Sequence, residues 1–144
     1  MGHAKGRVGA VVGAAALIAA TGFAGSQATA VADPAAGQQV RYTLTSAGDG
    51  DFDLFYLVSQ PPSMAAYNAD AYSFVKREEV HLAAGVPWVF ETTLADPQWA
   101  ILTVSSTTHG GQAAPNPHCD IAIDGQIAVA QDGPYNLQCQ LTKW

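Results

Sequence analysis

From residue 40 onward apolar side chains recur at every second position, with Val40, Tyr42 and Leu44 alternating against Arg41, Thr43 and Thr45. That is the period of a strand with one buried face. It returns at Trp88, Phe90, Thr92 and Leu94, set against Val89, Glu91 and Thr93. Residues 52–59 are apolar on both faces, with Phe52, Leu54, Tyr56 and Val58 on one and Phe55 and Leu57 on the other, which predicts a central strand. Residues 72–82 mix Phe74, Val75, Val80 and Leu82 with Lys76, Arg77, Glu78 and Glu79. This is the pattern of an exposed strand whose charges discourage edge pairing, with a short helix as the alternative. Residues 100–106 are rich in β-branched side chains and predict a further strand.

Turn chemistry separates these runs. Residues 47–51 hold two glycines and two aspartates, Gly85-Val86-Pro87 turns the chain, and Asp96-Pro97 breaks it. Residues 61–70 have no period and are expected to form a loop, as are residues 109–117 with two glycines and two prolines. Near the C-terminus Cys119, Ile121 and Ile123 share a face, Asp124-Gly125 is a hairpin turn, and Ile127 and Val129 lead to a second turn at Asp132-Gly133-Pro134. Leu137, Cys139 and Leu141 close the pattern. About seven short strands, turns every eight to twelve residues and no long helix predict an all-β, antiparallel, immunoglobulin-like β-sandwich.

The N-terminus follows different rules. Lys5 and Arg7 precede an uninterrupted apolar run over residues 8–24, the n-region and h-region of a signal peptide. The run is rich in Ala and Gly and shorter than the roughly 20 strongly apolar residues of a membrane span. Small-x-small sites follow at Ala28-Thr29-Ala30 and Ala30-Val31-Ala32, the second just before the extended Asp33-Pro34 dipeptide. The expected organisation is a signal peptide over residues 1–32 cleaved between Ala32 and Asp33, a flexible linker over 33–39, and a sandwich domain over 40–144. No stable membrane insertion is expected after cleavage.

Export changes the reading of charge and cysteine. Removing Lys5 and Arg7 with the leader leaves four basic residues against twelve acidic ones, moving the formal charge from -6 to -8. The only basic cluster, Lys76-Arg77, sits beside Glu78-Glu79, which sets aside nucleic acid and anionic lipid headgroups as partners. Two cysteines delivered to an oxidising compartment imply one disulfide, Cys119 to Cys139. Both lie on the apolar faces of their strands, where a buried bridge would join either neighbouring strands or facing sheets.

Candidate chemistry is sparse. There is no G-x-S-x-G and no H-E-x-x-H. His81 lies in a charged strand, and a metal site of His109, His118 and Cys119 would require Cys139 to lose its partner. Asp49, Asp51 and Asp53 imitate the start of a calcium loop, but Leu54 replaces the sixth-position glycine and Gln60 the closing glutamate. Glu78 and Glu79 are adjacent and point to opposite faces of a strand, so they cannot flank one bond. No catalytic residue, cofactor or metal is expected. Among the aromatic residues Trp88 belongs to the core, whereas Trp99 after a turn and Trp144 at the chain end are the candidates for a partner surface, with Tyr67 and Tyr72 beside them.

Three segments together resemble the MmpS family, small mycobacterial membrane proteins that act as accessories to lipid-exporting transporters. They are Val40-Arg41-Tyr42-Thr43-Leu44-Thr45 leading to Phe52-Asp53-Leu54-Phe55-Tyr56, Val86-Pro87-Trp88 before an alternating strand, and Cys119-Asp120-Ile121-Ala122-Ile123-Asp124-Gly125 with Cys139. The resemblance implies a β-sandwich outside the cytoplasmic membrane that assists export of a lipid or siderophore by contact with a transporter. Two departures stand out: the family keeps its N-terminal transmembrane helix, and residues 61–84 are longer here than the family's connection. The functional expectation is therefore an exported, non-enzymatic binding or accessory module of the cell envelope or extracellular space. Its partners would be an envelope transporter subunit or a lipid-like ligand. The alternatives are a secreted carrier of a small apolar ligand and, last, a hydrolase of unfamiliar design.

Overall fold

The alternating segments form eight strands in the computed structural model of the chain, which describes residues 37–107 and 110–144. The expected leader, its cleavage point at Ala32 and Asp33, most of the linker and His109 lie outside the described residues. The strands are β1 (Gln38–Ser46), β2 (Gly50–Leu57), β3 (Val75–Leu82), β4 (Trp88–Leu94), β5 (Ile101–Ser106), β6 (Pro117–Ile123), β7 (Gln126–Asp132) and β8 (Leu137–Gln140). All pair antiparallel, in one sheet of order β4-β1-β6-β7 and a second of order β3-β2-β5-β8. The expected antiparallel β-sandwich is present, with eight strands rather than about seven. β1 begins at Gln38, so Gln38 and Gln39 belong to the sheet and not to the linker.

The alternation decides what is buried. Val40, Tyr42 and Leu44 of β1, Phe52, Leu54 and Tyr56 of β2, and Leu102 and Val104 of β5 meet between the layers and are inaccessible to water. Polar atoms caught there are paired, as burial demands. The Tyr42 hydroxyl donates to the Leu57 carbonyl at 2.8 Å, joining the two sheets, and the Tyr56 hydroxyl donates to Glu78 at 2.6 Å. Tyr56 is ringed by Phe90 at 4.9 Å, Trp88 at 5.0 Å and Tyr42 at 5.9 Å between centroids, which closes the side of the sandwich formed by β3 and β4. Trp88 is half-buried and belongs to this cluster.

At the opposite side the Cys119–Cys139 disulfide bridges β6 in one sheet to β8 in the other, with both residues fully buried. Of the two arrangements open to the sequence, the structure adopts the bridge between facing sheets.

The loop expected over residues 61–70 contains a helix, α1 (Met64–Ala69). Ser63 caps it by accepting from the Ala66 backbone N–H at 3.0 Å, directly after Pro61 and Pro62. Six residues are too few to display a helical period, which is why the pattern missed it. A short 3₁₀ turn, Ala71–Ser73, then leads into β3, the edge strand whose charges the sequence displayed.

Asp124 and Gly125 take positive φ values of 48° and 86°, the backbone of a two-residue hairpin turn. The Asp124 carboxylate accepts from the Gln38 side chain at 2.9 Å and the Gln39 N–H at 3.0 Å, tying the turn to β1. Those two bonds, the Gln38 one first, hold its pKa below the ordinary carboxylate value. A depressed folded-state pKa adds stability above the unfolded pKa and loses it as pH falls through the folded value. Asp124→Asn should therefore flatten the acid limb of a stability-against-pH curve. An unaltered acid limb in urea melts of the variant would remove this role.

Between turn and core the chain is one residue out of step. Ile123 pairs with Gln126 across the turn, Ala122 with Ile127, and Ile121 with Val129, so Ala128 is an extra residue in a bulge. Val129 thus stays packed against the core while Ile127 is left 65% exposed.

Candidate functional site

Of the aromatic residues singled out for a partner surface, Trp99 and Trp144 fold back into the chain itself. Trp99 ends the 3₁₀ turn Pro97–Trp99, which Asp96 caps by accepting from Gln98 N–H at 3.0 Å, and is only 6% exposed. Trp144 is half-buried: its indole N–H donates to the Trp99 carbonyl at 2.9 Å and its ring stands edge-on to Trp99 at 5.6 Å and to Tyr67 at 4.8 Å. The turn and the chain end fold back on each other, so these rings anchor α1 and the C-terminus to the core. The apolar area that made them candidates is satisfied within the chain.

The polar features also resolve into local pairs. Asp49 accepts from the Ala84 N–H at 2.8 Å, Asp51 bonds His81 at 2.6 Å, and Asp53 meets Arg77 at 3.5 Å, so the three aspartates diverge and do not converge on a cation. His118 bonds Asp132 at 2.8 Å on the outer face of the other sheet. Cys119 is oxidised and unavailable as a ligand. Among the described residues no group of three or more His, Cys, Asp or Glu is placed to hold a metal ion. Among them too, no helix is long and apolar enough to cross a membrane.

What the pairing does create is a groove along the outer face of the β3-β2-β5 sheet. Three clefts succeed one another there. The first, about 440 Å³, lies between the turn at Gly48 to Asp51 and the loop at Pro115; the second, about 460 Å³, shares Asp51, His81 and Thr107 with it. The third, about 220 Å³, shares Asp53 with the second and ends at Tyr72. Strand register lays out the floor in rows, with Arg77, Phe55 and Thr103 across the three strands, then Glu79, Asp53 and Ser105, then His81 and Asp51. The loop wall is fixed by Ser46, whose buried hydroxyl donates to the Pro115 carbonyl at 2.9 Å. Thr107 is held by its N–H and hydroxyl, which donate to the Asp51 carbonyl at 2.9 and 3.2 Å.

Tyr72 is the exposed aromatic residue of this face, 75% accessible, with its ring edge-on to Phe55 at 6.4 Å and 87°. The signal that could have found the face is alternation: if Phe52, Leu54 and Tyr56 turn inward, Asp51, Asp53 and Phe55 turn outward. Reading Phe55 as a second core face concealed it, because Phe55 is covered by Tyr72 and not by another layer. In β5 the inward Leu102 and Val104 likewise leave Thr103 and Ser105 outside.

The β-sandwich itself matches a known domain. The sequence model of the Rv2576c beta-sandwich domain matches residues 42–139. The uncharacterized proteins Rv2576c of Mycobacterium tuberculosis strain H37Rv and Mb2606c of Mycobacterium bovis are each 43% identical to this chain over 118 residues. That alignment covers 81% of this chain and 74% of each relative. The uncharacterized protein MT2652 of Mycobacterium tuberculosis strain CDC 1551 is similar to the same extent. The MmpS likeness rests on the three segments quoted above; the family matched here is that of Rv2576c.

Proposed function

Because the chain belongs to the Rv2576c β-sandwich family, we propose that it is an exported, non-enzymatic binding module of the cell envelope or extracellular space, with an accessory role similar to that of the MmpS proteins. The observation that carries this reading is the groove on the β3-β2-β5 face, a concave surface on a frame braced between its sheets by a disulfide. Along it His81 is bonded to Asp51 and Arg77 to Asp53, so the charged side chains of the floor are held in fixed pairs. A buried disulfide supports a working place outside the cytoplasm, where such bridges persist, and the sequence pattern of residues 1–32 supports export.

The carrier role has less support. Its ligand would have to push apart sheets whose shared interior is filled by Tyr42, Leu54, Tyr56 and Leu102, each fully buried. Affinity capture from envelope extracts with the exported protein should recover a transporter subunit or a lipid. Failure to enrich either, in extracts where the transporters are demonstrably present, would overturn the accessory role. Finding residues 1–32 retained on protein recovered from culture medium would overturn cleavage.

A further inference from the structure

The Tyr72 end of the groove has a composition that selects a class of ligand. Tyr72 offers an open ring, steadied from below by Phe55. Nothing in the fold requires so large an apolar side chain to remain in water, whereas a ligand with an apolar face would cover it. Around the ring stand groups of both hydrogen-bonding senses. Arg77 only donates, Asp53 only accepts, and Thr103 and Ser105 do either. The Thr103 and Ser105 side-chain hydroxyls make no bond among the described residues.

One oxygen of Asp53 meets Arg77 at 3.5 Å; the other is screened from water and has no partner among the described residues. A carboxylate oxygen left in that state costs stability. A donor group of a ligand seated in the cleft that Asp53 lines would offset that cost.

Charge narrows the choice. Arg77 and Asp53 neutralise one another, so the cleft offers no net charge of its own to an ion. An anion would meet Glu79 in the next row and a domain with a strong acidic excess. A cation would have to compete with Arg77 for Asp53. A neutral molecule with an apolar face and several hydroxyls on its rim meets all the conditions together. At about 220 Å³ the cleft is smaller than a typical pocket for a whole drug-sized ligand, so it suits one ring, with room for a chain to continue toward His81 and Asp51.

We infer that this cleft binds one ring of a neutral saccharide, its C–H face on Tyr72 and its hydroxyls on Asp53, Arg77, Thr103 and Ser105. The inference rests on the reading of the groove as the binding face and adds the ligand class. Affinity for a single ring is weak, in the millimolar range expected of a small interface, and rises with chain length as more of the groove is covered.

The test is a titration of isotope-labelled protein, produced as the full chain and exported, followed by amide shifts in nuclear magnetic resonance. The probes are glucose, galactose, mannose and arabinose, then linear trisaccharides of each. At least one sugar should move amides at Tyr72, Arg77, Thr103 and Ser105 and leave those of β7 unmoved. Tyr72→Ala should weaken that response by about tenfold, and Ser105→Ala by roughly two- to fivefold. Both side chains are solvent-facing, so unchanged spectra elsewhere in the domain verify that the variants fold.

Absence of any response to all eight probes overturns the inference, as does a response that Tyr72→Ala leaves intact. Salt-sensitive binding of oligolysine to the same face, with no response to sugars, also overturns it and marks the groove as a site for basic peptides. Failure of envelope capture alongside a positive titration sinks the transport role and leaves the saccharide site standing. The opposite pair of results sinks the saccharide site alone.

Discussion

Replacing Cys119 and Cys139 together by alanine should lower the stability of the domain by about 3 kcal/mol. The bridge closes a loop with a sequence separation of 20 residues, and that chain length sets the entropy it removes from the unfolded ensemble. Two further effects act in the same direction. Both sulfurs are fully buried, so the variant leaves a small void, and the covalent bond it removes ties one sheet to the other rather than neighbours within a sheet. A domain of this size has about 5–15 kcal/mol in all, so the loss is a large fraction. In thermal melts it corresponds to a fall on the order of 15 °C. Guanidinium melts of the oxidised protein, the double variant and protein reduced while unfolded would measure it. Coincident midpoints for the three would show that packing alone holds the layers together.

The second large effect is a collapse of stability at alkaline pH. Burial drives the phenols of Tyr42 and Tyr56 well above their ordinary 10.0, and for Tyr56 the Glu78 carboxylate, which accepts a hydrogen bond from the protonated phenol and repels its anion, adds to the shift. Raised folded-state values mean that stability is intact below about pH 10. It declines as pH climbs from there toward the folded values, because only the unfolded chain releases these protons. Each tyrosine contributes a slope that reaches about 1.4 kcal/mol per pH unit above its unfolded pKa, so two together remove roughly 2 kcal/mol between about pH 10 and about pH 11. Ionisation of Tyr42 and Tyr56 should therefore coincide with unfolding. Circular dichroism and tyrosinate absorbance recorded on one sample would test this, with Tyr56→Phe expected to shift the transition to higher pH. Ionisation of Tyr42 and Tyr56 near pH 10 in a folded protein would contradict it.

Strand positions, the charged edge strand and the hairpin at Asp124-Gly125 were legible because each depends on periods and turn residues that lie within a few positions of one another. The disulfide was legible from the even cysteine count and the apolar faces on which both residues fall, though its choice of facing sheets depends on topology that no local pattern carries. Placement of Trp99 and Trp144 was not legible. Trp99 ends a turn and Trp144 is the last residue of the sequence, places where exposure is the usual outcome, but an interaction 45 residues apart in sequence buries one and half-buries the other. The candidate face was half visible. Its hydroxyls and carboxylates alternate with core residues in β2 and β5, yet its exposed aromatic ring comes from the 3₁₀ turn after α1, an element too short to announce itself.

The two long sides of the sandwich are closed by different means, a covalent link near β6 and β8 and a ring of aromatic contacts near β3 and β4. A book bound along one spine opens at its fore-edge, and thermal breathing of this molecule should do the same. The first interior surface to meet water would then be that of Tyr56 and Trp88, while the halves stay tethered and can close again without searching for each other.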